Sequence, residues 1–240
     1  MAALFSSASM ALGYARSRPP LHERIVALAG LPRCSRALDI GCGSGLSTRA
    51  LAGTATTSIG IEPVEAMVKV APQVAPGASF VHGRAEALPF AARTFDLLTA
   101  AGSLNYVDLD LFFLEARRVL AKNGLLFVYD FSQPRDDSFS QFTTRYPPPP
   151  GHARKLDPDI LAALPSGFRL TRSQSFEIPL PMSPAAYIDY AMTETNVAHA
   201  IAQGTPEAEI RRWCTDSLHT TPRDVLFPGY FAVLVAHKTS

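Results

Sequence analysis

Three acidic residues and three glycines in this 240-residue chain are spaced so that they could hold a nucleoside-like ligand. Asp39-Ile40-Gly41-Cys42-Gly43-Ser44-Gly45 ends a short apolar run and opens a helix-forming segment. Glu62 stands 21 residues after Gly41, at the tip of the apolar run 57–61, and Pro63 closes that run. Glu86 lies in Gly83-Arg84-Ala85-Glu86-Ala87-Leu88-Pro89-Phe90. Glycines admit positive φ and close approach of a ligand to the backbone. Exposed amides at a helix start favour a negative group. A carboxylate at a strand tip can accept from both hydroxyls of a ribose.

Spacing narrows the ligand further. A phosphate-cradling loop ends in Gly-Lys-Ser/Thr, which this turn lacks. A dinucleotide turn reads G-x-G-x-x-G, and Leu46 stands where its third glycine belongs. The pattern that remains, acidic-x-Gly-x-Gly-x-Gly, resembles the first motif of the class I methyltransferases that use S-adenosyl-L-methionine. The stretch 83–90 resembles the third motif of that family. The resemblance spans about 14–131 through several ordered motifs, and the rest of the chain more weakly. It is greatest to the type 11, UbiE-like methyltransferases and to a subgroup of the trans-aconitate type.

The resemblance implies roles residue by residue. Gly41, Cys42, Gly43 and Gly45 admit the methionine portion of the cofactor, and Cys42 is there because the turn needs a small side chain. Asp39 orders the turn and reaches the ammonium, directly or through water. Glu62, followed by Pro63, holds the ribose. The backbone of Ala85 and the carboxylate of Glu86 read the adenine edge. Arg84 replaces an Asp common in relatives, which leaves the side chain at that position outside the expected contact. Met67 is either an apolar surface against the adenine or plain core. In relatives a Tyr-Ala-Arg-x-Arg-Pro stretch forms a flap, so Tyr14 and Arg16 are candidates for closing the site; surface packing is the alternative. Ala101 leads into Ser103, Asn105 and Tyr106, which lie nearest the expected methyl group and are the catalytic-side candidates. Trans-aconitate-type relatives carry His-Trp-Phe where this chain has Asn105-Tyr106-Val107, so a histidine base at that place is absent. His82 reads as strand-end packing, and Asp130 either faces the substrate or caps a loop.

These residues need elements to position them. Apolar runs at 37–40, 57–61, 79–82, 95–100 and 125–131 alternate with helical patterns, which predicts a doubly wound parallel sheet. Ligands bind such sheets beyond the carboxyl ends of the strands, where Asp39, Glu62, Glu86 and 101–106 would converge. Helices are expected over 21–29, after Pro19 and Pro20, from the glycine turn to about 52, and over 111–120, with Asn123-Gly124 as the stop of the last. The polar stretch 132–151 ends in four prolines, Pro147 to Pro150, and reads as a lid-like excursion. Helices are expected at 156–164, 183–200 and 206–218, with outer strands at 168–178 and 225–236. The family resemblance sets the full expectation. It is an α/β, Rossmann-like sheet of seven strands in order 3-2-1-4-5-7-6, with the last strand antiparallel. The chain forms one domain over 1–240, with an N-terminal flap (1–30), a lid (132–157) and a helical cap (183–220). Tyr187, Tyr190 and Trp213 either line that cap or pack it.

Composition sets outer limits. Hydrophobic residues make up 47% and charged residues 18%, which is a globular balance. The net charge of +1 with no block of like charges argues against nucleic acid as partner. Cys34, Cys42 and Cys214 lack disulfide or metal spacing, so no metal is expected. Neither a leader nor a membrane span is evident, so a cytoplasmic protein without a membrane partner, monomer or homodimer, is expected.

The chemistry implied is in-line displacement at a methyl group carried on a positive sulfur. The protein supplies mainly positioning and electrostatics, and a base is needed only if the acceptor must lose a proton. The acceptor is expected to be a small molecule with an O-, N- or C-nucleophile, a carboxylate included. Alternatives are a non-methylating S-adenosylmethionine enzyme such as a cyclase or decarboxylase, a protein that senses the cofactor, and a nicotinamide oxidoreductase, disfavoured by Leu46.

Overall fold

A computed structural model describes residues 8–150, 156–164, 167–218 and 224–237. The outer parts of the expected flap (1–7), lid (151–155) and cap (219–220) lie outside the described residues. In chain order the elements are α1 (Ala8–Ser17), α2 (Leu21–Ala29), β1 (Cys34–Ile40), α3 (Leu46–Ala50), β2 (Ala55–Glu62), α4 (Glu65–Val74), β3 (Ser79–His82), β4 (Phe95–Ala101), α5 (Leu109–Val119), β5 (Leu120–Phe131) and α6 (Asp137–Arg145). They continue as α7 (Pro158–Ala163), β6 (Phe168–Pro181), α8 (Pro184–Ala191), α9 (Thr195–Ala202), α10 (Glu207–Ser217) and β7 (Asp224–Ala236).

Seven strands form one sheet in the order β3-β2-β1-β4-β5-β7-β6. The first five are parallel to their neighbours, and β7 runs antiparallel between β5 and β6. This is the expected Rossmann-like order. Side-chain parity on β5 shows how the sheet divides the core. Leu126 and Val128 join the layer containing Phe112 and Ala116 of α5. Phe127 and Tyr129 join the opposite layer, which contains Leu21 and Ile25 of α2 and Tyr187 of α8. Central strands buried on both faces account for the almost unbroken apolar runs.

Local signals explain several boundaries. Gly30 takes a left-handed conformation at the end of α2, which glycine does without a Cβ penalty. The Asp108 carboxylate caps α5 by accepting from the amides of Asp110 and Leu111.

Four expectations change. The stretch 132–151, expected as a lid-like excursion with no helix assigned to it, contains α6. Asp136 caps that helix and Phe139 and Phe142 are buried on one face. The expected helix 183–200 is two helices, broken at 192–194 between α8 and α9. The expected stop at Asn123-Gly124 falls inside β5, where Asn123 holds φ +66° at an irregularity in the pairing with β4. The last turn of the helix expected to 52 tightens into a 3₁₀ turn over Leu51–Gly53.

Candidate functional site

Asp39 is the point from which the glycine turn is built. It is fully buried and accepts hydrogen bonds from Ser47 Oγ (2.6 Å), Thr48 Oγ1 (2.7 Å) and Thr99 Oγ1 (2.8 Å). Burial pushes its carboxyl up from the usual range, and the three hydroxyls oppose that shift. It ties the start of α3 to the ends of β1 and β4. Asp39 orders the turn from behind the residues that line the cavity described below.

The turn is tight because glycine is required in it. Gly41 sits at φ +64°, and a Cβ there would lie 2.5 Å from Ser103 Cβ. Gly43 also has positive φ, but a Cβ would meet nothing within 4 Å. The amides of Gly41 and Cys42 donate to Ile61 O, that of Gly43 to Glu62, and that of Gly45 to Cys42 O. The expected open array of helix-start amides is therefore largely committed within the protein, and α3 has only five residues. Cys42 and Gly45 lie behind the cavity wall; the Cys42 Sγ packs over Gly60.

Glu62 is the carboxylate that faces outward. At the tip of β2 it is 7% exposed; Oε2 accepts from the Gly43 amide (3.0 Å) and Oε1 from the Val64 amide (2.9 Å). Each oxygen keeps a further lone pair. Burial raises its carboxyl above the ordinary range, against the pull of the two amides. Glu62 opens into a cavity of about 1000 Å³ at the carboxyl ends of the strands. Pro63, Val64, Met67, Ala85 and Glu86 form the wall on its side. Met67 belongs to a small apolar cluster that includes Val64, Val70 and Tyr14, so it both packs and lines the cavity. Glu86 accepts from the Asp108 amide at 3.2 Å, which links the 83–90 loop to the start of α5. His82 bonds the Pro63 carbonyl at 2.9 Å and stands at the strand end, as its place in the sequence suggested.

The opposite wall comes from the ends of β4 and β5. Ala101, Ser103, Asn105 and Tyr106 all line the cavity. Ser103 Oγ donates to the Ile40 carbonyl, so it fastens the 3₁₀ turn Ser103–Tyr106 to the end of β1. Asn105 Nδ2 donates to Asp130 Oδ2 at 2.8 Å, and Asp130 Oδ1 accepts the Phe131 amide. Asp130 both lines the cavity and holds the neighbouring 3₁₀ turn through Asn105. The Tyr106 hydroxyl is pushed up to about 12 by burial and by Asp130.

The N-terminal flap residues divide. Tyr14 lines the cavity, whereas Arg16 is exposed and does not. On a helix the side facing Tyr14 recurs at four residues, not two, and Arg18, just beyond α1, occupies it. Arg18 lies over the Tyr14 ring at 4.5 Å, over the Tyr190 ring at 5.3 Å, and pairs with Glu194 at 2.8 Å. Glu194 also accepts from Gln133. Arg18, Glu194, Gln133 and His22 were not among the sequence candidates. Arg18 was legible from the helical period; Gln133 sits between β5 and α6 and Glu194 between α8 and α9, where no period operates. Of the cap aromatics, Tyr190 lines the cavity, while Tyr187 bonds Asp136 and Trp213 stacks edge-on against Tyr146. Among the described residues, no three or more His, Cys, Asp or Glu side chains gather as a metal site requires. No described helix is long and apolar enough to cross a membrane.

The sheet order, glycine turn and strand-tip acidic residues define a class I methyltransferase fold, and comparison with known proteins agrees. The methyltransferase domain family matches residues 38–128. The chain is 34% identical over 123 residues to a 2-phytyl-1,4-naphtoquinone methyltransferase of Thermosynechococcus vestitus, covering 48% of this chain and 55% of that protein. It is 32% identical over 154 residues to a demethylmenaquinone methyltransferase of Roseiflexus castenholzii, covering 60% and 65%. The chain thus spans between half and two thirds of the length of these relatives. The crystal structure of the YcgJ protein of Bacillus subtilis superposes with a TM-score of 0.59 at 20% identity, over 91% of this chain and 99% of that one. Residues 38–128 match the methyltransferase domain family, and the likeness in fold extends over 91% of the chain.

Proposed function

We propose that this protein transfers the methyl group of S-adenosyl-L-methionine to a small-molecule acceptor. The observation that carries the reading is Glu62. It is a buried strand-tip carboxylate, locked by two backbone amides, with lone pairs left over and a cavity in front of it. Glu62 accepts the two ribose hydroxyls. Ala85, Glu86 and Met67 enclose the adenine on the same wall. Gly41 and Gly43 leave room for the methionine portion, and Pro63 and Ala101 complete its boundary. Asp39, Cys42 and Gly45 shape the turn without touching the ligand.

S-adenosylmethionine supplies an activated methyl group; the chain's own contribution is orientation. Asn105, held by Asp130, and Tyr106 stand on the wall facing the methyl, with Ser103 fixing their turn. Asp130 is the carboxylate placed to take a proton from an acceptor that must lose one. The segment 1–30 serves as a flap through Tyr14 and Arg18 rather than Arg16. The segments 132–157 and 183–220 serve as lid and cap, and Tyr190 and Glu194 bring the cap to the cavity. The quinone substrates in the relatives' names make aromatic or unsaturated acceptors the first to try.

Calorimetry tests the cofactor. One S-adenosylmethionine per chain is expected, with competition by S-adenosylhomocysteine and none by NADH. Absence of binding to the intact chain would refute the reading.

A further inference from the structure

His22 is a cavity-lining imidazole that the scheme above does not use. It stands in the first turn of α2, with its ring edge-on to Tyr129 and Phe131 of β5. Its Nδ1 lies 2.9 Å from the Tyr129 hydroxyl. Tyr129 is buried, and that bond is the one its hydroxyl makes among the described residues. Were Nδ1 the donor, the phenolic hydrogen would be buried without an acceptor, at a cost of about 1–3 kcal/mol. Tyr129 therefore donates to Nδ1, and the imidazole hydrogen sits on Nε2. Nε2 is not among the buried unpaired atoms and is the remaining polar atom of a residue that lines the cavity.

Burial holds the imidazole down near 4, helped by Arg18 before α2 and Arg49 of α3 and opposed by Glu23 of α2. His22 is thus a neutral N–H donor at physiological pH, not a proton acceptor. The Arg18 guanidinium on this side is already engaged by Glu194. A neutral donor among aromatic walls, with a carboxylate at the end of β5, suits a neutral or weakly acidic oxygen better than a second carboxylate.

We propose that His22, oriented by Tyr129, holds an enolic or phenolic oxygen of the methyl acceptor through Nε2–H. Its consequence for turnover rests on the methyl-transfer reading, but its test does not.

The test is ¹⁵N NMR of the His22 ring in the intact chain, titrated with phenol, benzoate or toluene, with and without S-adenosylhomocysteine. The expected result is an Nε2-protonated ring at neutral pH whose Nε2 resonance moves downfield with phenol and not with toluene. His22→Gln, which keeps a side-chain N–H donor, should bind phenol within about threefold of wild type, and His22→Phe should bind roughly tenfold more weakly. Tyr129→Phe should let the ring populate both tautomers. A ring protonated on Nδ1, an Nε2 resonance that phenol leaves unmoved, or a response to benzoate alone would overturn the assignment. Phenol effects without S-adenosylhomocysteine binding would leave His22 as assigned and refute the methyltransferase reading. Homocysteine-analogue binding with a silent Nε2 would do the reverse.

Discussion

Replacing Glu62 probes the site where its geometry is most constrained. In Glu62→Ala the amides of Gly43 and Val64 lose their acceptors, at 3.0 and 2.9 Å in the intact chain. Water from the adjoining cavity can reach both amides, so the lower end of the cost of an unpaired donor applies. The folded state should lose about 1–2 kcal/mol. The ligand loses more. Two hydroxyl bonds to a carboxylate are each worth about 1.5 kcal/mol at the low end for charged partners, so roughly 3 kcal/mol, or about 100-fold in Kd, should disappear. Glu62→Gln keeps one carbonyl oxygen and should fall between, near tenfold. The assay is calorimetric titration with S-adenosylhomocysteine at about pH 8, well above the carboxylate range, beside urea unfolding of the same samples. Unfolding separates lost contacts from lost fold. If Glu62→Ala binds within about threefold of wild type while folded, the carboxylate is not the ribose acceptor.

Three further outcomes follow from the same geometry. Gly41→Ala must place a Cβ against Ser103 at positive φ, so it should destabilise the fold by about 1–3 kcal/mol. Gly43→Ala, with open space at the Cβ, should cost only about 1 kcal/mol on the same urea curves. Asp39→Ala strands three buried hydroxyls and should lower stability by about 3 kcal/mol or more, read as a drop in Tm. His22 is held near 4 against an ordinary 6.5, so the unfolded chain binds the extra proton between those values. Its contribution is whole above pH 6.5 and is lost as pH falls toward 4, by at most about 3 kcal/mol. The difference in unfolding free energy between wild type and His22→Gln across that range isolates it; no pH dependence in the difference would count against a buried neutral imidazole.

The sheet was legible because its order follows from strands and helices that alternate at regular spacing. The cavity wall was legible in part because strand-tip residues announce themselves: Glu62 ends an apolar run and Glu86 follows one. What sequence pattern did not resolve was side-chain direction. Asp39 and Glu62 look alike in the sequence, yet β1 buries one behind three hydroxyls and β2 turns the other into the cavity. Arg16 and Arg18 look equivalent until α1 rotates one to solvent and leaves the other between Tyr14 and Tyr190. The polar character of 132–151 concealed α6, although Asp136 as a cap and Phe139 and Phe142 three apart carry its signature. His22 and Glu194 reach the cavity only through packing between elements far apart in the chain. No local pattern encodes that approach.

The claim that a methyl group is transferred is tested most directly by incubating the purified chain with methyl-labelled S-adenosylmethionine and a panel of phenols, quinols and small carboxylates, then following the label by mass spectrometry. The expected result is S-adenosylhomocysteine formed together with one labelled small molecule, and none of either from a folded Glu62→Ala chain at the same cofactor concentration. A wild-type chain that binds the cofactor and yields neither product, with the panel extended to the small-molecule fraction of a cell extract, would contradict the account.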